Sequence, residues 1–488
     1  MATDSTPSSL KSSRRLLPDL RYSEDFFNFT RGRFVCDEVH EMSQRHVRFN
    51  VNELARLAAD AVGANICVSI EKYPDGMYNK AMLLTMDNGT QVVAKVPNPN
   101  AGKPHFTTAS EVATMDFVRN VLGTPVPKVF AWSSKAEENP VGAEYIIMEK
   151  LPGIELEHAW PSMTIGDRLA VVKAIARYQK SWCSVSFKKY GGLYYAKDLD
   201  ISTGNEPLYT DANGIDVKDS KFGIGPSTGR EFIDNGRATI DFDRGPYRSI
   251  CSSHLWHGDL HVANIFVNPS NPTEIVGLID WQSTELAPLY HHARQPQILD
   301  YNGPPVIGLE RPHLPKDIEQ LDADAKKQAE ALYLQQSLCS LYNTLTHHQN
   351  AQHHAAFVFQ QTTSHLLLLL ARNLLIDGEA TYLSQVAALE ATWDELPGAK
   401  GSAYPFSFSA SERQEMEADT EGVVRGMEAM RAIRESIGEL FPEQGIVRTE
   451  LYDEALDALE QMKQQVIGEF AQTEQDREIW RKEWPFGT

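Results

Sequence analysis

At 488 residues, with 42% hydrophobic and 23% charged side chains, the chain has an ordinary globular composition and is long enough for two or three core-bearing units. A formal net charge of −20 and the lack of any Lys/Arg-rich run exclude non-specific nucleic-acid binding. The longest apolar run, residues 366–376, is broken by Arg372 and Asn373 and is too short to span a bilayer. Five scattered cysteines, never in C-x-x-C spacing, read as free thiols in a reducing compartment and give no zinc site.

Residues 1–45 show no strong periodicity. Lys11, Arg14 and Arg15 among serines give a faint transit-peptide character, against which stand Asp4 and Asp19, so the expected compartment is mitochondrion or cytoplasm. Tyr22, Phe26, Phe27, Phe29 and Phe34 predict an extension that docks on the domain after it. Residues 49–61 read as a helix, with Asn52 as cap and Leu54, Leu57, Ala58 and Ala61 on one face. A β-rich block follows: a strand near residues 67–70, a turn at Asp75-Gly76, a strand over 81–86, a hairpin at Asn88-Gly89 and a return over 90–96. Lys95 interrupts that apolar return, where a charge needs a partner unless the strand is an edge in water. Glu111 begins a helix predicted over 109–122, and strands near 125–132 and 143–148 bring the count to five. Glu149 to Gly153 then reads as a linker between two lobes.

Helical spacing returns over 167–182, and residues 190–247 are irregular. Within them Phe222 to Gly229 lacks the lysine of a phosphate loop, and Pro226 removes an amide donor, so a structured loop is expected. Beyond residue 322 the chain is helical, over about 323–345, 355–375, 384–396, 411–440 and 449–484, the last expected to pack on the large lobe. His347-His348 and His353-His354 read as a solvated helix junction.

The chemistry concentrates in HLWHGDLHVANIFVNPSNPTEIVGLIDWQSTEL, residues 254–286. Two short strands around a Pro/Asn turn form a hairpin, which brings Asn264 and Asp280 side by side. An amide and a carboxylate there are hard oxygen ligands for a divalent cation, and Asp259, one loop earlier, is placed to take a proton from an acceptor hydroxyl. The pattern H-G-D-x-x-x-x-N followed by I-D is that of kinase-like phosphoryl transfer, with His257-Gly258-Asp259 at its head. On this reading Lys95 pairs with the nucleotide phosphates and Glu111 with Lys95. Gly76 and Asn79 lie over those phosphates, and Glu149 and Leu151 offer backbone to the adenine.

These elements, with SEVATMDFVRNVLGTPVPKVFAWSS, VGAEYIIMEKLPG and KYGGLYY, resemble the aminoglycoside phosphotransferase (kinase-like) family, in its fungal branch that includes the altered-inheritance-of-mitochondria proteins. The resemblance implies an α+β bilobal protein-kinase-like fold with a small antiparallel N-lobe, a mainly helical C-lobe and a helical C-terminal extension. Its parts are expected at residues 1–45 (extension), 46–150 (N-lobe), 151–410 (C-lobe) and 411–488 (helices packed on the C-lobe). It further implies ATP with Mg2+ and a small-molecule hydroxyl acceptor, with Asp259 and His257 catalytic and Asn264 and Asp280 as metal ligands. The stretch LAPLYHHARQP after Asp280 departs from the family's usual Gly/Pro and Asp-Leu-Ala continuation, so the likeness does not extend to the acceptor. A nucleotide-binding pseudokinase or mitochondrial assembly protein is the alternative, against which stands the complete set of Lys95, Asp259, Asn264 and Asp280.

Overall fold

Strand β2 (Asn79–Met86) buries every second side chain, the period of a half-buried strand. It sits in a five-stranded antiparallel sheet with β1 (Cys67–Lys72), β3 (Gln91–Pro97), β4 (Val129–Ser133) and β5 (Tyr145–Glu149), in the order β1-β2-β3-β5-β4. This computed structural model describes residues 24–199, 206–234, 236–396 and 398–487; Lys11, Arg14, Arg15 and Tyr22 lie outside the described residues.

One face of the sheet (Met82, Leu84, Val92, Ala94) packs on Leu54, Ala55 and Ala58 of helix α1 (Val51–Val62). The cap of α1 is Asn50, whose side chain accepts from Glu53 N at 3.1 Å, two residues before the expected Asn52. Lys95 lies opposite Ala81 in the ladder and so faces away from that core, toward helix α2 (Phe106–Asn120), which carries Glu111. Phe26 and Phe27 join the small-lobe core, as the extension reading expected.

The large lobe begins with β6 (Ile154–Glu155) and helix α3 (Ile165–Cys183), whose N-terminus is closed by a reciprocal Thr164–Asp167 capping box. Strands β7 (Phe187–Tyr190), β8 (Gly192–Tyr195), β9 (Phe222–Gly225), β10 (Tyr247–Leu255), β11 (Ile265–Asn268), β12 (Asn271–Leu278) and β13 (Leu286–Ala287) follow. The hairpin β11–β12 lies beside β6, and β10 runs between β7 and β13. Trp182, Trp256, Trp281, Leu255, Ile265 and Leu278 are at the centre of the core.

The segment expected as a loop at Phe222 to Gly229 is half strand: β9 pairs with β8. Its alternating glycines conceal the pattern, and they are needed, because a Cβ on Gly225 would stand 2.9 Å from the Tyr194 ring. Helix α4 (Ala323–Gln349) is followed by α5 (Ala351–Gln360), α6 (Thr363–Asp377) and α7 (Ala380–Ala388). Asn350 caps the start of α5, and the Thr362 cap of α6 divides what periodicity reads as one helix over 355–375. At that junction His353 is buried, its ring 4.5 Å from Trp256, while His347 and His354 meet edge to face at 4.5 Å nearer the surface.

The C-terminal helices are α8 (Ala410–Ile437), α9 (Tyr452–Phe470) and α10 (Glu474–Lys482). They meet the large lobe through α8, which packs on α7. Near its start α8 bonds that lobe, with Arg413 bonding Glu390 at 2.6 Å, but beyond it the three helices form their own core around Ala429, Ile433, Leu459 and Val466. That core takes in Val35 of the N-terminal extension, and Arg33–Phe34 pairs antiparallel with Ile446–Val447. The apolar stripe of α9 signals burial but not the identity of its partner. None of the five cysteines forms a disulfide, and among the described residues no helix is long and apolar enough to cross a membrane.

Candidate active site

The end of β10 delivers Trp256 and His257 into the core, where His257 is 2% exposed between the rings of Trp182 and Trp281. Its Nε2 donates to Ile279 O at 2.9 Å, and its Nδ1 accepts from Asp259 N at 3.3 Å. Burial holds its pKa below the ordinary histidine value, with the Ile279 carbonyl acting in the opposite sense. The ring therefore ties two loops together and opens onto neither.

Asp259 is the exposed member of the loop. The Nδ2 of buried Asn264 donates to Asp259 O at 2.9 Å and lies 3.4 Å from its Oδ2, which assigns the amide nitrogen to the loop and leaves the amide oxygen as a hard donor. Ile279 N donates to Asn264 O at 3.0 Å, so the residue next to Asp280 is bonded directly to Asn264. His261 caps the short turn Val262–Asn264 and stands 3.5 Å from Asp259 Oδ2, and that contact raises its pKa.

Asp280 has φ +61 and Ser283 φ +56, left-handed conformations that cost non-glycine residues about 1–3 kcal/mol each. Fully buried Trp281, whose Nε1 donates to Leu278 O at 3.1 Å, fixes the loop between them. The turn aims the Asp280 carboxylate at the small lobe, where Lys95 Nζ lies 3.0 Å from Oδ1. The same ammonium donates to Glu111 at 2.7 and 3.0 Å. Burial works against the charge on Lys95, and Asp280 and Glu111 more than offset it, so its pKa is raised. The Asp280 side chain is 40% exposed, yet desolvation by the surrounding protein opposes its ionisation, and Lys95 reverses the sign, so its pKa is lowered. Burial pushes Glu111 up in spite of Lys95. Residues 95, 111, 259, 264 and 280 thus converge on one cleft between the lobes.

The other predicted residues border that cleft with their groups already engaged. Gly76 N donates to Asn79 O at 3.2 Å, and Asn79 Nδ2 donates to Gln282 Oε1 at 2.5 Å. Asp75 of the same turn is buried and accepts from Thr30 N, Thr30 Oγ1 and Lys72 Nζ at 2.8, 2.7 and 2.6 Å, which anchors the turn to the N-terminal extension. In the linker, Glu149 Oε2 accepts from Lys128 N at 3.0 Å, and the buried Leu151 side chain packs where Gly277 leaves room for it.

The family model described as APH, phosphotransferase enzyme family, matches residues 249–291, the stretch that holds Asp259, Asn264 and Asp280. Over that stretch the chain is similar to the phosphotransferase enzyme family. It is similar to a subtelomeric hrmA-associated cluster protein of Aspergillus fumigatus, 26% identical over 86% of this chain and 97% of that protein. It is also similar to altered inheritance of mitochondria protein 9, mitochondrial, of Candida tropicalis, 30% identical over 39% of this chain and 32% of that protein. Among solved structures, a streptomycin–ATP–APH(2'')-IIa ternary complex aligns at 12% identity and TM-score 0.32, over 68% of this chain and 96% of that one. A macrolide 2'-phosphotransferase, MphH, from Brachybacterium faecium aligns at 11% identity and TM-score 0.25, over 66% of this chain and 98% of that one.

Sequence reasoning missed a second polar group beside the cleft. Tyr190 OH lies 3.2 Å from Glu231 and 3.3 Å from Glu285, His291 Nε2 lies 3.3 and 3.6 Å from the same two carboxylates, and Arg372 bonds Glu231 at 2.5 Å. Glu231, Glu285 and His291 have the donor types of a metal site, but the imidazole and the guanidinium already face the two carboxylates, which makes the group a charge-balanced network. Its members come from four separate segments, so no local motif announces it.

Proposed function

We propose that this protein transfers the γ-phosphate of ATP to a hydroxyl of a small molecule. The observation that carries the reading is the single ammonium of Lys95, shared between Glu111 of the small lobe and Asp280 of the large one. A buried cation between two carboxylates has a phosphate-binding role available to it when one carboxylate turns to a metal ion. The donor set suits magnesium: Asp280 is held ionised with only Oδ1 engaged by Lys95, and the Asn264 amide has its nitrogen committed elsewhere. Asp280 and Asn264 would hold that ion, which neutralises charge developing on the phosphates.

The chain's own residues supply the rest. Lys95 would bind the α and β phosphates, and the backbone near Glu149 and Leu151 would meet the adenine while the Leu151 side chain stays packed away. Gly76 and Asn79 would border the phosphates as parts of the turn above them. Asp259, oriented by the Asn264 amide, would accept the acceptor's proton as the new O–P bond forms and the bond to ADP breaks. His257 keeps the Asp259 and Asp280 loops in register and is a positioning residue. The relatives named as mitochondrial support a mitochondrial compartment for this chain as well. A screen of hydroxylated metabolites for ADP release, with Asp259→Asn alongside, tests the assignment. Turnover lost in the variant is the expected result. ATP-dependent stabilisation with no transfer to any acceptor, and equal basal activity in both proteins, would instead favour a nucleotide-binding interaction protein.

A further inference from the structure

Two large-lobe side chains meet on one small-lobe carbonyl. Gln282 Nε2 donates to Ala101 O at 2.9 Å, and Arg230 Nη1 donates to the same oxygen at 2.9 Å. Gln282 also accepts from Asn79 Nδ2 at 2.5 Å, and the Arg230 guanidinium lies 3.9 Å over the Tyr78 ring. Ala101 is in the connection between β3 and α2, the strand that carries Lys95 and the helix that carries Glu111. That connection is also held within the small lobe, by Ala101 N on Asn98 O at 2.9 Å and Asn100 N on Gln44 O at 3.2 Å, and it meets the large lobe again through Arg230 Nη1 on Asn100 O at 3.4 Å and His105 Nε2 on Asp198 O at 3.3 Å. Gln282 is two residues from Asp280, in the left-handed loop that buried Trp281 fixes in place.

We propose that Gln282 is a positioning residue for phosphoryl transfer: it latches the small lobe onto the Asp280 loop, and Arg230 supports it on the other side of Ala101. The inference rests on the phosphotransfer reading. Gln282 has both of its amide atoms committed to the opposite lobe, one to each side of the strand pair that leads to Lys95. It sets where the Lys95–Glu111 unit stands relative to Asp280, without reaching into the space between them. A hinge held in this way affects binding and turnover together.

The test compares wild type with Gln282→Ala and with Gln282→Glu, which keeps the acceptor for Asn79 and loses the donor to Ala101. Hydrogen exchange on nucleotide-free protein reads the latch directly. The expected result is exchange at least several-fold faster over residues 98–102 in Gln282→Ala, with Gln282→Glu intermediate. Steady-state ADP formation should show the KM for Mg-ATP rising about tenfold together with a fall in kcat. Unchanged exchange over residues 98–102 overturns the latch. So does a loss of kcat at constant KM, which is what a smaller folded fraction gives. Where wild type forms no ADP, the phosphotransfer reading falls, and the exchange comparison alone still decides the latch.

Discussion

Replacing Lys95 with Met is the perturbation whose cost follows most directly from the geometry. Lys95 is 7% and Glu111 4% exposed, and the ammonium makes contacts of 2.7, 3.0 and 3.0 Å to two carboxylates. Methionine removes the cation and leaves Glu111 buried, unpaired and facing Asp280. Breaking a buried pair from one side destabilises by about 3–5 kcal/mol. At an unfolding entropy of about 2.1 cal/mol/K per residue, that is a fall of roughly 3–5 °C if all 488 residues unfold together. The loss depends on pH, and its sign is fixed by Glu111. Burial already raises its pKa above the ordinary carboxylate value, and removing Lys95 raises it further. The penalty is therefore fully present above that raised pKa and fades as the pH falls toward about 4.3, where the unfolded chain also protonates. Thermal unfolding midpoints of wild type and Lys95→Met, without nucleotide, at pH 5 and pH 8 check this. Adding Glu111→Leu should return part of the deficit, since the buried charge is then gone. A midpoint unchanged at pH 8, or a deficit equal at both pH values, refutes the buried-pair argument.

Asp259→Asn should lower transfer by about 10²–10⁴-fold while leaving ATP-dependent stabilisation in place, measured by ADP release and by melting with and without Mg-ATP. Burial opposes the charge on Glu231, and His291 and Arg372 reverse it and hold its pKa well below the ordinary carboxylate value. Its contribution is present above about pH 4.3 and is lost as the pH falls through its folded value, so the gap between wild type and Glu231→Gln, about 1–3 kcal/mol, should shrink in acid titrations of stability. Leu459→Ala at the centre of the C-terminal core should cost about 2–5 kcal/mol, and hydrogen exchange should then rise at Arg33–Phe34 as well as in α9, because the two share one core.

The hairpin that leads from Asn264 to Asp280 and the five-strand sheet are legible in the sequence because their signals are local. Turn residues at Asn88-Gly89 and at 268–272 mark the reversals, and period-two burial marks the strands. Lys95 stands out as a charge in an apolar strand, and its partner follows from the helix after it. What stays illegible depends on contacts across long separations. The docking of α8 to α10 on Val35 joins the two ends of the chain, and an amphipathic stripe carries no address. Gln282 and Arg230 are ordinary polar residues in irregular segments until the fold brings Ala101 between them. His257 belongs to the motif, but only the rings of Trp182 and Trp281 show that it is buried. The helix boundary at 362 turns on a side-chain cap inside a run of apolar spacing, which periodicity smooths over.

The central claim, that Asp280 and Asn264 join Lys95 in holding a metal-bound nucleotide, is tested most directly by calorimetric titration of ATP into wild type and Asp280→Asn, each with and without Mg2+. Wild type should bind tightly only when the metal is present, and the variant should lose that metal dependence. Equal affinities in all four titrations, or a variant that responds to Mg2+ as wild type does, would contradict the account.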